Sequence, residues 1–384
     1  MRRAAMIIGA FGLILFLFAP AVQADWTPAK RLTWTPAYAF EPAIAVDSTD
    51  AIHVVWSENQ VGNSEIYYKK SPDGGTTWNA LKRLTWTSGN SFNPSMAIDS
   101  GDIIHIVWGD WTPGEEQIYT KKSTDGGKTW SAAKRLTWTS GESLRPAITA
   151  DSGDGIHVVW FNNLSTSAEV YYKGSTDGGA SWRAAQRLTW TGGYSKFPAL
   201  VADSSNTIHV VWQNFILDPP EIYYKRSTNS GADWSVLKRL TWTSGISSSP
   251  AIAADSGGAI HVVWFDDTPG LEKIYYRRSP DGGASWDTVK RLAWTSGESS
   301  YPAIAVDSGD AIHVAWHDDA PGNQEIYYKK STDGGTTWSS ALRLSWLSGY
   351  SNYAAIATDS ALTVHLVWKD DTPGNIEIYY KSGN

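Results

Sequence analysis

Cysteine is absent from this sequence. That excludes disulfides, thiolate metal sites and a lipid-modified cysteine anchor. Positive charge is also in deficit: 32 Lys and Arg stand against 39 Asp and Glu, a net charge of −7. This balance argues against nucleic acid or an anionic membrane surface as the partner. No stretch carries the 3.6-residue period of an amphipathic helix. Beyond residue 24, no apolar run is long enough to span a bilayer. The sequence also contains no phosphate-binding glycine loop, nucleophile elbow or His-Glu-x-x-His motif.

Residues 1–24 stand apart. Arg2 and Arg3 precede an apolar run from Ala4 to Ala19, which ends in Pro20 and Val22-Gln-Ala24. That pattern predicts a secretory signal peptide cleaved after Ala24. The expected mature chain is 25–384, secreted, periplasmic or held at the cell surface. Losing two arginines and no acid takes its charge from −7 to −9.

What is abundant is tryptophan, 22 residues, and it recurs with a fixed period. The phrase Ser123-Thr-Asp-Gly-Gly-Lys-Thr-Trp130 returns every 52 residues, in six copies from Ser71–Trp78 to Ser331–Trp338. An Arg-Leu-x-Trp follows, beginning at Arg31, Arg83, Arg135, Arg187, Arg239, Arg291 and Arg343. A period of this size means a solenoid, a propeller or an array. Each period reads as four short antiparallel strands divided by Asp- and Gly-rich turns. Strands such as Ile156-His-Val-Val-Trp160 are apolar on both faces, which suits sheets stacked around an axis. The chain after residue 24 begins with the last strand of a unit and ends after three strands of another. One plus three completes a seventh sheet. The sequence therefore predicts an all-β, seven-bladed propeller of four-stranded antiparallel blades. Its ring closes where Trp26–Trp34 joins the C-terminal sheet.

The repeated Ser-x-Asp-Gly-Gly-x-Thr/Ser-Trp resembles the Asp-box, or bacterial neuraminidase (BNR) repeat, of sialidase-like propellers. The resemblance implies a surface turn between the third and fourth strands. It assigns Asp73, Asp125, Asp177, Asp281 and Asp333 to structure rather than catalysis. Turn chemistry agrees, because an Asp carboxylate accepts N–H bonds across a turn and glycine allows positive φ. The copy Ser227–Trp234 has Asn229 and Ser230 in place of Asp and Gly, and the same turn is expected there.

Sialidase activity is not expected. The resemblance implies an Arg-Ile-Pro signature and an arginine triad, and neither is found; Arg145 stands beside a proline at the wrong offset. The seven repeated histidines, His53 to His365, are expected to be half-buried strand residues with backbone partners. The Asp-Ser-Gly turns lack the oxygen spacing of a dedicated calcium loop. No metal or cofactor is expected.

The copies differ most in two connections at one end of the ring. Aromatic faces beside carboxylates suit sugar rings. The candidate ligand residues are Trp108, Trp111, Trp138, Glu142, Arg145, Tyr194, Trp264, Asp266, Asp267, Trp316, Asp318, Asp319 and Tyr350. The expectation is a monomeric, non-catalytic propeller that binds carbohydrate multivalently in Trp-flanked clefts. Two alternatives stand beside it. One is a sialidase-like glycoside hydrolase with a single axial site. The other is an extracellular protein scaffold using the apolar Phe215, Ile216 and Leu217.

Overall fold

The computed structural model describes residues 26–60, 62–164, 166–190 and 192–384. The expected signal peptide lies outside them. Seven four-stranded antiparallel sheets form seven blades. Blade three is representative, with strands Glu142–Ala150, Ile156–Leu164, Ser167–Ser175 and Gln186–Arg187. The first strand lines the axis and the two-residue fourth strand lies on the perimeter. Among the described residues no helix is long and apolar enough to cross a membrane.

Ring closure follows the one-plus-three expectation. Lys30–Arg31 pairs with Glu377–Gly383, so the N-terminal segment supplies the outer strand of blade seven. The Thr27 N–H donates to the Ser382 carbonyl at 2.7 Å beside that pair. On the face of the Asp-Ser-Gly turns, Ser360 of blade seven donates through N–H (2.8 Å) and Oγ (2.7 Å) to Asp50 of blade one. Ser48 makes the same pair of bonds to Asp102, and Ser256 to Asp310.

The core lies between blades. One cluster joins Val367, Ile378 and Tyr380 of blade seven to Ile52, Val54 and Trp56 of blade one. The second-strand tryptophans, Trp56 through Trp368, are buried in all seven blades. They fill the gap between sheets that no single blade closes alone.

The repeated histidines are buried more deeply than the sequence suggests, and their partners are side chains rather than backbone. Each accepts or donates at Nε2 to an Asp six residues earlier, at 2.9–3.3 Å. In six blades Nδ1 meets a tyrosine hydroxyl at 2.6–2.8 Å. Burial pushes His53, His157, His313 and His365 below the ordinary histidine value. A neutral ring then donates Nε2–H to the Asp and accepts the phenol at Nδ1. A fully satisfied polar chain of this kind locks strands two and three to the turn between strands one and two.

The Asp-boxes behave as turns. Asp73 accepts from the Thr77 N–H (2.7 Å), Thr77 Oγ1 (2.6 Å) and Ser71 Oγ (2.9 Å). The equivalent donors, Thr129 and then Ser123, hold the half-exposed Asp125 down to about 2. The second box glycine has no alternative. Gly127 has φ +84°, and a Cβ there would lie 2.0 Å from Tyr68 Oη. In the variant copy, Asn229 Oδ1 accepts from the Asp233 N–H at 2.8 Å, which preserves the turn.

Candidate axial site

Each inner strand carries one irregularity at the same place. The pairing register shifts between Phe40 and Ala43, and at the equivalent point of all seven blades. The bulge residue takes the left-handed backbone: Glu41, Asn93, Arg145, Phe197, Ser249, Tyr301 and Tyr353 have φ of 48–57°. Six of the seven precede proline, whose missing N–H is tolerated at a bulge. Blade seven keeps the bulge with Ala354 there. A left-handed conformation costs roughly 1–3 kcal/mol at a bulky residue and gathers at binding and catalytic sites.

All seven of these residues and those that follow them line a cavity of about 310 Å³ on the axis. The backbone is repeated sevenfold but the wall is not. One sector is aromatic. Tyr301 and Tyr353 rings lie 4.5 Å apart, and His317 stacks on Tyr301 at 5.5 Å. Lys369 Nζ lies 4.5 Å from the Tyr353 ring centre. The other sector is charged. Glu41 accepts from the Asn93 N–H at 2.8 Å. Arg145 lies 5.1 Å over the Phe197 ring.

Titration is shifted at several groups in and beside this wall. Burial raises Glu41 against the lowering effects of the Asn93 N–H, Arg145 and Lys369. Burial carries Glu116 up to about 8, helped by the charges of Glu41 and Glu142 and opposed by Trp111 and Arg145. His317 falls to about 4, through burial and then the Lys369 charge. Burial raises Tyr353 and lowers Lys369. Shifts gathered at one cavity make it the candidate functional site.

The sequence-predicted residues separate into three groups. Arg145 lines the axial cavity. Trp111 and Glu142 are tied to it through Glu116: Trp111 Nε1 donates to Glu116 Oε2 at 2.8 Å, and the Glu142 charge raises Glu116. Trp111 and Glu142 stand higher on the same end of the ring, with Asn163 Nδ2 donating to Glu142 at 3.2 Å.

A second group is structural, which corrects the expectation of Trp-flanked clefts. Trp108, Trp264 and Trp316 are buried between blades and present no face to a ligand. Asp266 and Asp318 are buried too. They accept from Ser247 (2.6 Å) and Ser299 (2.5 Å). Asp267 and Asp319 tie the two variable connections together, accepting from the N–H of Ile246 (2.5 Å) and Glu298 (2.6 Å).

The third group is open to solvent but lies away from the axial wall. Trp138 is 68% exposed on the perimeter, with Arg135 and Lys173 within 5.7 Å of its ring. Tyr350 is exposed. Tyr194 packs edge-on against Phe215 at 6.4 Å, beside the exposed Ile216 and Leu217.

Sequence reasoning missed Glu41, Phe197, Tyr301, Tyr353, Glu116, His317 and Lys369. A signal existed. The residue before each strand-opening proline reads Glu, Asn, Arg, Phe, Ser and Tyr in an otherwise regular repeat. The bulge that turns it to the axis was not visible.

A BNR repeat-like domain model matches residues 104–314. The chain belongs to that family. Among curated proteins none matches it. Three solved structures share the fold. A Dyadobacter fermentans protein of unknown function is 13% identical with a TM-score of 0.58, covering 93% of this chain and 99% of its own. The Hadza microbial sialidase Hz136 is 14% identical with a TM-score of 0.55, covering 90% of this BNR propeller and 65% of its own chain. The GH93 α-L-arabinofuranosidase of Fusarium graminearum, solved with arabinobiose, is 12% identical with a TM-score of 0.57, covering 76% and 92%. Identities this low establish a sialidase-like BNR propeller fold and nothing finer.

Proposed function

We propose that this protein is an exported, glycan-binding propeller whose ligand occupies the axial cavity. One observation carries the reading: seven equivalent bulges aim seven side chains at the axis, and these form an aromatic sector facing a charged one. Sugars are recognised by that pairing. The faces of Tyr301 and Tyr353 stack on C–H surfaces. Glu41, Asn93 and Arg145 bond hydroxyls or a carboxylate, the last in two-pronged fashion. The volume suits about one sugar ring, at the small end of ligand pockets. The similar sialidase and arabinofuranosidase both have names that point to glycans, which supports the ligand class. The ligand is bound once per ring rather than in seven equal clefts.

A glycan array of residues 25–384, followed by calorimetry on the strongest ligand, tests this. Arg145→Ala and Tyr353→Ala are each expected to weaken binding about tenfold or more, the effect of losing a charge-assisted bond or a stacking face. Undiminished binding in both variants overturns the axial assignment.

A second reading is hydrolysis in the same cavity. It is favoured by Glu116 beside the cavity, which burial keeps protonated near neutral pH as a general acid must be, with the carboxyl of the cavity-lining Glu41 close enough to shift it. Turnover of fluorogenic sialosides or arabinosides, abolished by Glu116→Gln, would replace the non-catalytic reading.

A further inference from the structure

Blade two lacks a ring that the other six blades have. In those six, a third-strand tyrosine (Tyr68, for example) bonds the buried histidine and packs edge-on against a tryptophan of the following blade, an Asp-box tryptophan in five cases and Trp26 for Tyr328, with centroids 5.0–5.3 Å apart. Its hydroxyl sits under the second box glycine, as Tyr68 does under Gly127. Blade two has Thr120 at this position. The Thr120 hydroxyl donates to the Ile106 carbonyl of the adjacent strand at 2.9 Å. His105 is 2% exposed, and its Nε2 is held by Asp99 at 2.9 Å. No protein hydrogen bond to His105 Nδ1 exists among the described residues, and Trp182 has no tyrosine against its face.

The missing ring leaves space. His105, Thr120, Gly179 and Trp182 line a cavity of about 330 Å³ that opens through a groove beside residues 131–134. These are the residues whose counterparts enclose the tyrosine elsewhere. A groove of about 370 Å³ lies at the corresponding place between blades seven and one with Tyr380 in its wall and no histidine, so the ring's own space is marked not by groove volume but by Gly179, where a Cβ would meet nothing nearer than 3.7 Å.

We propose that this cavity is a binding site for a phenolic ring. The occupant is read from the molecule itself, which fills the same space with a phenol in six blades. The ligand's ring lies against Gly179 and the Trp182 indole. Its hydroxyl donates to His105 Nδ1. Burial pushes His105 below its ordinary value, so the ring is neutral, with the proton on the Nε2 that faces Asp99. Nδ1 is then an acceptor that no described protein group serves and that faces the groove, where a phenol can donate to it. The Trp182 indole offers the ring an edge-on aromatic contact, as its counterparts offer the tyrosine in the other blades, and His105 adds a directed polar contact.

The test is titration of phenol into the full chain, followed by calorimetry and by the imidazole NMR signals of His105. One equivalent per chain is expected. Thr120→Tyr restores the six-blade pattern, and it is expected to abolish binding and raise Tm. Tyr172→Thr copies the cavity into blade three and is expected to add a second equivalent. Anisole, which has no proton to donate, is expected to bind about five- to tenfold more weakly. The proposal is overturned if phenol does not saturate the unmodified chain, if Thr120→Tyr binds it equally well, or if anisole matches phenol.

Discussion

The inner and outer ends of one blade treat repetition in opposite ways. At the axis the seven bulges share a backbone and carry Glu, Asn, Arg, Phe, Ser, Tyr and Tyr. At the perimeter all seven Arg-Leu-x-Trp tryptophans are retained, and all are 63–72% exposed. Each has an arginine within 5.8 Å of its ring. In five blades that arginine also pairs with a buried glutamate of the third strand, as Arg83 does with Glu65 at 2.8 Å. The outer residue is constant because every blade faces the same environment there: solvent and its own third strand. The inner residues meet one another across a shared space. There, seven identical side chains would build a symmetric wall, unsuited to an asymmetric ligand. Uniformity in a repeat therefore does not mean burial.

Four measurements sharpen or break this contrast. The largest effect is expected between the two ends. Trp160→Ala removes a buried inter-blade ring and should cost about 3–5 kcal/mol in chemical denaturation. A cost near zero would mean that the blades do not share a core. Next come the axial variants, Arg145→Ala and Tyr353→Ala, with their expected tenfold or greater loss of ligand and little change in fold.

A smaller effect is expected in pH dependence. Glu116 is raised from the ordinary carboxylate value to about 8, so the folded state holds a proton that the unfolded chain releases. Stability linked to this group is complete below the unfolded value of about 4.5 and falls as pH rises toward 8. Glu116→Gln should flatten that part of a Tm-against-pH curve. An unchanged slope would mean that Glu116 titrates normally. The smallest effect belongs to the rim. Trp138→Ala should change stability by no more than about 1 kcal/mol, the scale of an exposed cation–π contact, and leave axial ligand binding intact. Loss of glycan binding in this variant would move the site to the perimeter and reverse the comparison.

Much of the architecture was legible because it rests on local chemistry. The period, the Asp-box donors around Asp73 and the split of strands between Lys30–Arg31 and Glu377–Gly383 are all sequence-local or countable. The site was far less legible. Trp108, Trp264 and Trp316 looked like ligand platforms because they precede variable loops, yet each is buried, stacked on a tyrosine of its own third strand and packed against the neighbouring blade. Arg145 is a ligand candidate by sequence, but its offset from proline counts there only against a sialidase signature, although the bulge at that offset is what aims it at the axis.

The sequence by itself determined the blade number, the strand order, the turns and the closure of the ring, since each follows from a 52-residue period and the chemistry of Asp, Gly and Trp within it. Only the tertiary structure decided which tryptophans are buried, which single residue per blade reaches the axis, and that Thr120 leaves a void beside His105. The reason is physical. Strand periodicity fixes which residues share a face, but burial depends on the neighbouring blade. A β-bulge reverses that periodicity at one residue, through a register shift that exists only between two paired strands.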